Sequence, residues 1–94
     1  MILGYKNKET EAFAQGEYVR RFSGFERQGW RRLEVLDAAT CLNDLRALPS
    51  NRLEALRGNR DGQFSIRING QWRICFIWLD GATGPSDVEI VDYH

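Results

Sequence analysis

Hydrophobic and polar positions alternate along residues 63–68, with Phe64, Ile66 and Ile68 on one side and Ser65 and Arg67 on the other, the period of a half-buried strand. The alternation resumes from Gln71 to Trp78, where Trp72, Ile74, Phe76 and Trp78 share a face and Arg73, Cys75 and Ile77 take the opposite one. Asn69-Gly70 between them invites a two-residue hairpin loop. Register argues against that loop. It would set Ile66 against Arg73 and Arg67 against Trp72, whereas opposed residues of an antiparallel pair point the same way. A three-residue loop, Asn69-Gly70-Gln71, opposes Ile68 to Trp72, Ile66 to Ile74 and Phe64 to Phe76, and the apolar face closes. The same register sets Arg67 opposite Arg73, and like charges across a ladder cost a few tenths to about 1 kcal/mol. Either the two guanidiniums splay into water or an anion lies between them.

Upstream, Ile2 to Tyr5 reads as a short first strand. Asn7 offers an N-cap for a helix to about Gln15, with Ala12 and Phe13 inward and Gly16 as its stop. Tyr18 to Phe22 is ambiguous. Ser23 and Glu26 have capping-box spacing, so a second helix is expected from Gly24 or Phe25 to about Ala39, with Trp30, Leu33 and Leu36 as its apolar stripe. Arg27 and Arg31 lie on another face, where RNA, a partner's acids or water could meet them. Residues 39–50 read as a connection tacked down by Leu42, Leu45 and Leu48, with Pro49 stopping any helix. Leu53 to Leu56 suits a short strand and Arg57 to Gly62 a glycine-rich turn. After the hairpin, 81–86 is a loop, and Val88, Ile90 and Asp92 alternate along a last strand. The order predicts one α+β domain over 1–94: two N-terminal helices on one face of a twisted, mostly antiparallel sheet of four to five strands. Its other face is left partly open.

Composition changes this picture in two places. No apolar run approaches the roughly 18 residues of a membrane helix, and the first residues lack a signal-peptide plan, so a cytoplasmic protein is expected. Cys41 and Cys75 have neither CxxC spacing nor neighbouring histidines, which points to two buried or half-buried thiols and no metal. Net charge is zero, but its distribution is uneven. Residues 20–32 hold five Arg against Glu26, and residues 46–73 hold six Arg against Glu54 and Asp61. Asp80, Asp87, Glu89 and Asp92 follow the hairpin. A neutral chain can thus carry a basic face, and every basic residue after Lys8 is arginine, suited to bidentate phosphate contacts.

The run Asn51-Arg52-Leu53-Glu54-Ala55-Leu56-Arg57-Gly58-Asn59-Arg60-Asp61-Gly62-Gln63-Phe64-Ser65-Ile66, then Trp72-Arg73-Ile74, then Asp92-Tyr93-His94, resembles the HigB-type host-inhibition toxins of the RelE/ParE superfamily. The resemblance covers nearly the whole chain. It implies the toxin of a type II toxin-antitoxin pair, a ribosome-dependent mRNA endonuclease that needs no metal or other cofactor. Its implied partners are a helix-turn-helix antitoxin of the HigA type, through which alone it meets operator DNA, and the ribosome with bound mRNA. The family's site residues fall on Arg57, Arg73, Asp92, Tyr93 and His94. Glu54 departs from the pattern, standing where several relatives have the histidine of a His-Pro-Leu-Lys run; a carboxylate there could still act as the base, though it would repel phosphate.

The chemistry can be argued beside that resemblance. Metal-free RNA cleavage needs a base for the 2′-OH, cations around the phosphorane and an acid for the leaving 5′-oxygen. Arg57 and Arg73 can supply the charge, with Arg60 and Arg67 as further RNA contacts, and Tyr93 can stack on a base. His94 is the only histidine, and its neighbours Asp92 and the α-carboxylate favour imidazolium, which suits a general acid. Outside the family context, a terminal histidine is more often a tail residue. Competing readings are a non-catalytic inhibitor of DNA gyrase or of ribosome biogenesis, and a weakened toxin kept for antitoxin binding and operon regulation.

Overall fold

The computed structural model describes residues 1–92; Tyr93 and His94, two of the expected site residues, lie outside the described residues. Helix α1 (Lys8–Ala14) begins as its sequence requires, with Asn7 Oδ1 accepting the Thr10 amide at 2.9 Å. It ends at Gly16, whose φ of +91° suits the left-handed residue of a Schellman turn; the Glu17 amide returns to Ala12 O at 3.0 Å. Helix α2 (Glu26–Ala38) crosses α1 at Gly29. A Cβ there would lie 2.8 Å from the Phe13 ring, so glycine sets how closely the two helices approach. Trp30 joins them again, stacking on Phe13 and donating its Nε1 proton to Phe13 O at 2.7 Å, a helix-end carbonyl.

Four strands follow: β1 (Glu54–Ala55), β2 (Phe64–Arg67), β3 (Trp72–Ile77) and β4 (Ser86–Asp92). They form an antiparallel meander in the order β1-β2-β3-β4. The hairpin has the expected register, pairing Phe64 with Phe76, Ile66 with Ile74 and Arg67 with Arg73. Its loop is held by Asn69, whose Oδ1 accepts from the amides of Gln71 at 2.9 Å and Trp72 at 2.8 Å. A bulge in β4 separates Cys75 opposite Glu89 from Ile77 opposite Ser86, with Asp87 at φ +50°. One face of the sheet, carrying Ile66, Ile74, Phe76, Val88 and Ile90, packs on Phe13, Phe22, Phe25, Leu33, Leu36 and Leu45 as the core. Thr10 closes the outer edge of β4, its buried hydroxyl accepting the Ile90 amide at 3.1 Å.

Four local expectations need correction, among them the burial of Cys41, which is exposed. The first strand is reduced to a single parallel bridge, Tyr5 to Val88, with the Lys6 amide on Val88 O at 2.9 Å. The capping box at Ser23 does not form: a 3₁₀ turn over Arg20–Phe25 precedes α2, and Ser23 Oγ donates back to Arg20 O at 2.9 Å. Residues 39–50 are more than a connection. They contain helix α3 (Leu42–Arg46), whose Asp44 accepts from the Thr40 amide and hydroxyl at 2.7 and 2.6 Å, and a 3₁₀ turn over Pro49–Asn51. Asn51, fully buried, ties that turn to α3 through Leu45 O at 3.0 Å and to α2 through Arg32 at 2.6 Å.

Candidate nucleic-acid interface

The face of the sheet away from the helices is organised by register. Glu54, Ser65, Cys75 and Glu89 form one row across the four strands, and Arg67, Arg73 and Val91 form the next across β2 to β4. Cys75 and Leu56 are buried, yet neither belongs to the main core, so this face has a thin apolar layer of its own beneath its charges. Arg60, Lys6 and Glu89 gather there: Arg60 Nη1 lies 3.0 Å from Gln63 Oε1 and 3.3 Å from Glu89 Oε1, and Lys6 Nζ reaches the same carboxylate at 4.0 Å. Among the described residues Glu89 has two cations and Glu54 has no hydrogen bond or ion pair.

The conflict between Arg67 and Arg73 is resolved locally. Arg73 Nη1 turns to the hairpin loop, donating to Asn69 O and, at 3.2 Å, to Trp72 O. These carbonyls offset its charge and aim the guanidinium at the loop end of the sheet. Arg67, half-buried beside Gly70, makes no hydrogen bond or ion pair among the described residues. A phosphate placed between the two would meet one oriented and one uncommitted cation.

Asp92 stands apart from that pair in one respect. It opposes Trp72, on the face that packs against the helices, while Arg73 opposes Val91 on the open face; both lie at the same end of the sheet. Gln71 Nε2 donates to Asp92 Oδ2 at 3.1 Å. Trp72 itself lies under the 3₁₀ turn, against Phe25 at 4.9 Å and Phe22 at 5.6 Å, with the Arg21 guanidinium 5.7 Å from its ring centre. Arg21 also pairs with Glu9 at 2.6 Å. Arg57 is exposed two residues after β1, at the N-cap of the 3₁₀ turn that carries Arg60. Glu54, Arg60, Arg67 and Arg73 therefore share the open face, with Arg57 at its margin and Asp92 around the sheet's end.

One member of this face escapes a reading of local motifs. Glu89 holds Arg60 across a separation of 29 residues and lies in the same row as Cys75, which the hairpin alternation already places here. Extending that alternation into the last strand would have found it. Burial pushes the Cys75 thiol up against the pull of Arg60, Lys6 and Arg73, so it keeps its proton at neutral pH. Among the described residues no three His, Cys, Asp or Glu side chains converge as metal ligands would, and no helix is long and apolar enough to cross a membrane.

A helical layer on one side of an antiparallel meander, with two arginines opposed on the other, defines a small α+β protein. Comparison with known proteins gives the family. Residues 4–94 match the model of the HigB-like toxins, described as the RelE-like toxin of the type II toxin-antitoxin system HigB, and the chain belongs to that family. It is 45% identical over 83 residues to the toxin HigB-1 of Vibrio cholerae, covering 86% of this chain and 87% of that one. It is also 35% identical over 63 residues to the endoribonuclease HigB of Proteus vulgaris, covering 67% of this chain and 65% of the relative.

Proposed function

We propose that this toxin is an endoribonuclease that cuts mRNA on the ribosome, with the open face of the sheet as its RNA face. The observation that carries the reading is the placement of Arg67 directly opposite Arg73, one guanidinium held by loop carbonyls and the other uncommitted. Kinship with a relative named as an endoribonuclease supports it. In the reaction the 2′-oxygen attacks phosphorus and the bond to the 5′-oxygen breaks, leaving a cyclic phosphate and a 5′-hydroxyl. Arg73, Arg67 and Arg57 stabilise the charge that gathers on the phosphorane. Glu54 fits the base's part better than Glu89, because Glu89 is engaged by Arg60 and Lys6. His94 protonates the leaving 5′-oxygen, Tyr93 stacks on a base, and Asp92 favours the imidazolium. Arg60, partly neutralised by Glu89, contacts the RNA backbone at the margin.

The ribosome enters because a face with few cations, on a chain of zero net charge, holds isolated RNA weakly. Brief expression beside a variant lacking His94, with 5′ ends mapped across mRNA and rRNA, tests the proposal. New in-frame cuts inside translated messages are expected for the intact chain only. Growth arrest without such cuts would contradict it and favour an inhibitor that acts by binding.

A further inference from the structure

The helical side of the molecule carries a groove of about 500 Å³, lined by Ile2, Tyr5, Trp30, Leu33, Glu34 and Asp37 among others. Its floor is apolar and aromatic, its rim is acidic, and none of its lining residues is basic. Trp30, Leu33, Glu34 and Asp37 present themselves together because they recur at three- and four-residue spacing on α2. Asp37 is committed, since its Oδ1 accepts the Ile2 amide at 2.7 Å and pins the N-terminal segment as the groove's wall. Glu34 is exposed and makes no hydrogen bond or ion pair among the described residues. The acidic field reaches inward: burial, then Asp37 and Glu11, push the Tyr5 hydroxyl up.

We propose that this groove docks a basic segment of the cognate antitoxin, anchored by one Arg or Lys. The inference rests on the antitoxin partnership that the family implies. The chemistry selects such an anchor, because a long cationic side chain can lay its aliphatic stem on Ile2, Trp30 and Leu33 while its head meets Glu34 and Asp37. Arginine would make the better anchor, its planar guanidinium matching a carboxylate in two parallel hydrogen bonds. The same rim repels phosphate, so the occupant is protein and not RNA. The toxin thus has two poles of opposite sign, a basic one for RNA and an acidic one for its partner.

The test measures binding of the purified full-length antitoxin to wild-type toxin, to Glu34→Lys and Glu34→Gln, and to Asp80→Lys. The last makes the same charge change at an exposed turn outside the groove. Glu34→Lys is expected to weaken binding about ten-fold or more, Glu34→Gln by less, and Asp80→Lys by under about two-fold. Thermal melts and growth arrest by the Glu34 variants should match wild type, since Glu34 lies on an exposed helix face away from the proposed RNA face. Wild-type affinity in Glu34→Lys, or an equal loss in Asp80→Lys, would overturn the proposal. If no form arrests growth, the ribonuclease reading fails, while the affinities still decide where the antitoxin docks.

Discussion

The two faces of the sheet are built from adjacent residues of the same strands, yet different physics holds each. Ile74 is wholly buried against the helical core, and Arg73, one residue earlier, stands half-exposed with its guanidinium turned to loop carbonyls. On the helical side, stability comes from apolar area removed from water and from rings that interlock, as Phe13 does with Phe22 and Trp30. On the open side, a thin layer of Leu56, Ser65 and Cys75 supports charged groups whose arrangement adds little to stability. Changes on one face should therefore unfold the toxin, and changes on the other should disarm it.

Ile74→Ala should break the contrast most severely. Removing a fully buried side chain from the centre of β3 is expected to cost about 2–5 kcal/mol, read from the denaturant midpoint. A loss under about 1 kcal/mol would mean that the core does not centre there. Cys75 sharpens the contrast, because it belongs to the open face by register but is buried. Its thiol should resist alkylation at neutral pH in the native toxin while exposed Cys41 reacts. The folded thiol keeps its proton at pH values where the unfolded thiol, near about 8.5, begins to ionise. Stability should therefore fall as pH rises through that range, and Cys75→Ala should flatten the fall; identical pH profiles would contradict this. Asn7→Ala removes the cap of α1 and should cost about 1 kcal/mol without altering RNA cleavage.

The hairpin register was legible because the two strands' apolar faces leave only one loop length that avoids mixing them. The α1 caps were legible because Asn7 and Gly16 each do something local. Helix α3 was not, although Leu42, Leu45 and Leu48 have helical spacing: five residues form too short a helix for periodicity to separate from a tethered loop. Ser23 misled because the 3₁₀ turn before α2 gave its hydroxyl a nearer carbonyl than the expected cap. In the site, the facing arginines follow from pairing alone. The engagement of Arg60 with Glu89 does not, since it depends on which strands become neighbours. Nor does the placement of Asp92 on the opposite face from Arg73, which needs the β3–β4 register.

The central claim is that the open face meets the scissile phosphate. Its most direct test is the rate of mRNA cleavage by purified toxin on translating ribosomes, wild type beside Arg73→Ala, with the melting of each protein measured in parallel. The account predicts cleavage at least about ten-fold slower, with stability lower by only about 1 kcal/mol for the lost carbonyl contacts. Cleavage at the wild-type rate by a folded Arg73→Ala would contradict it and move the RNA to another face.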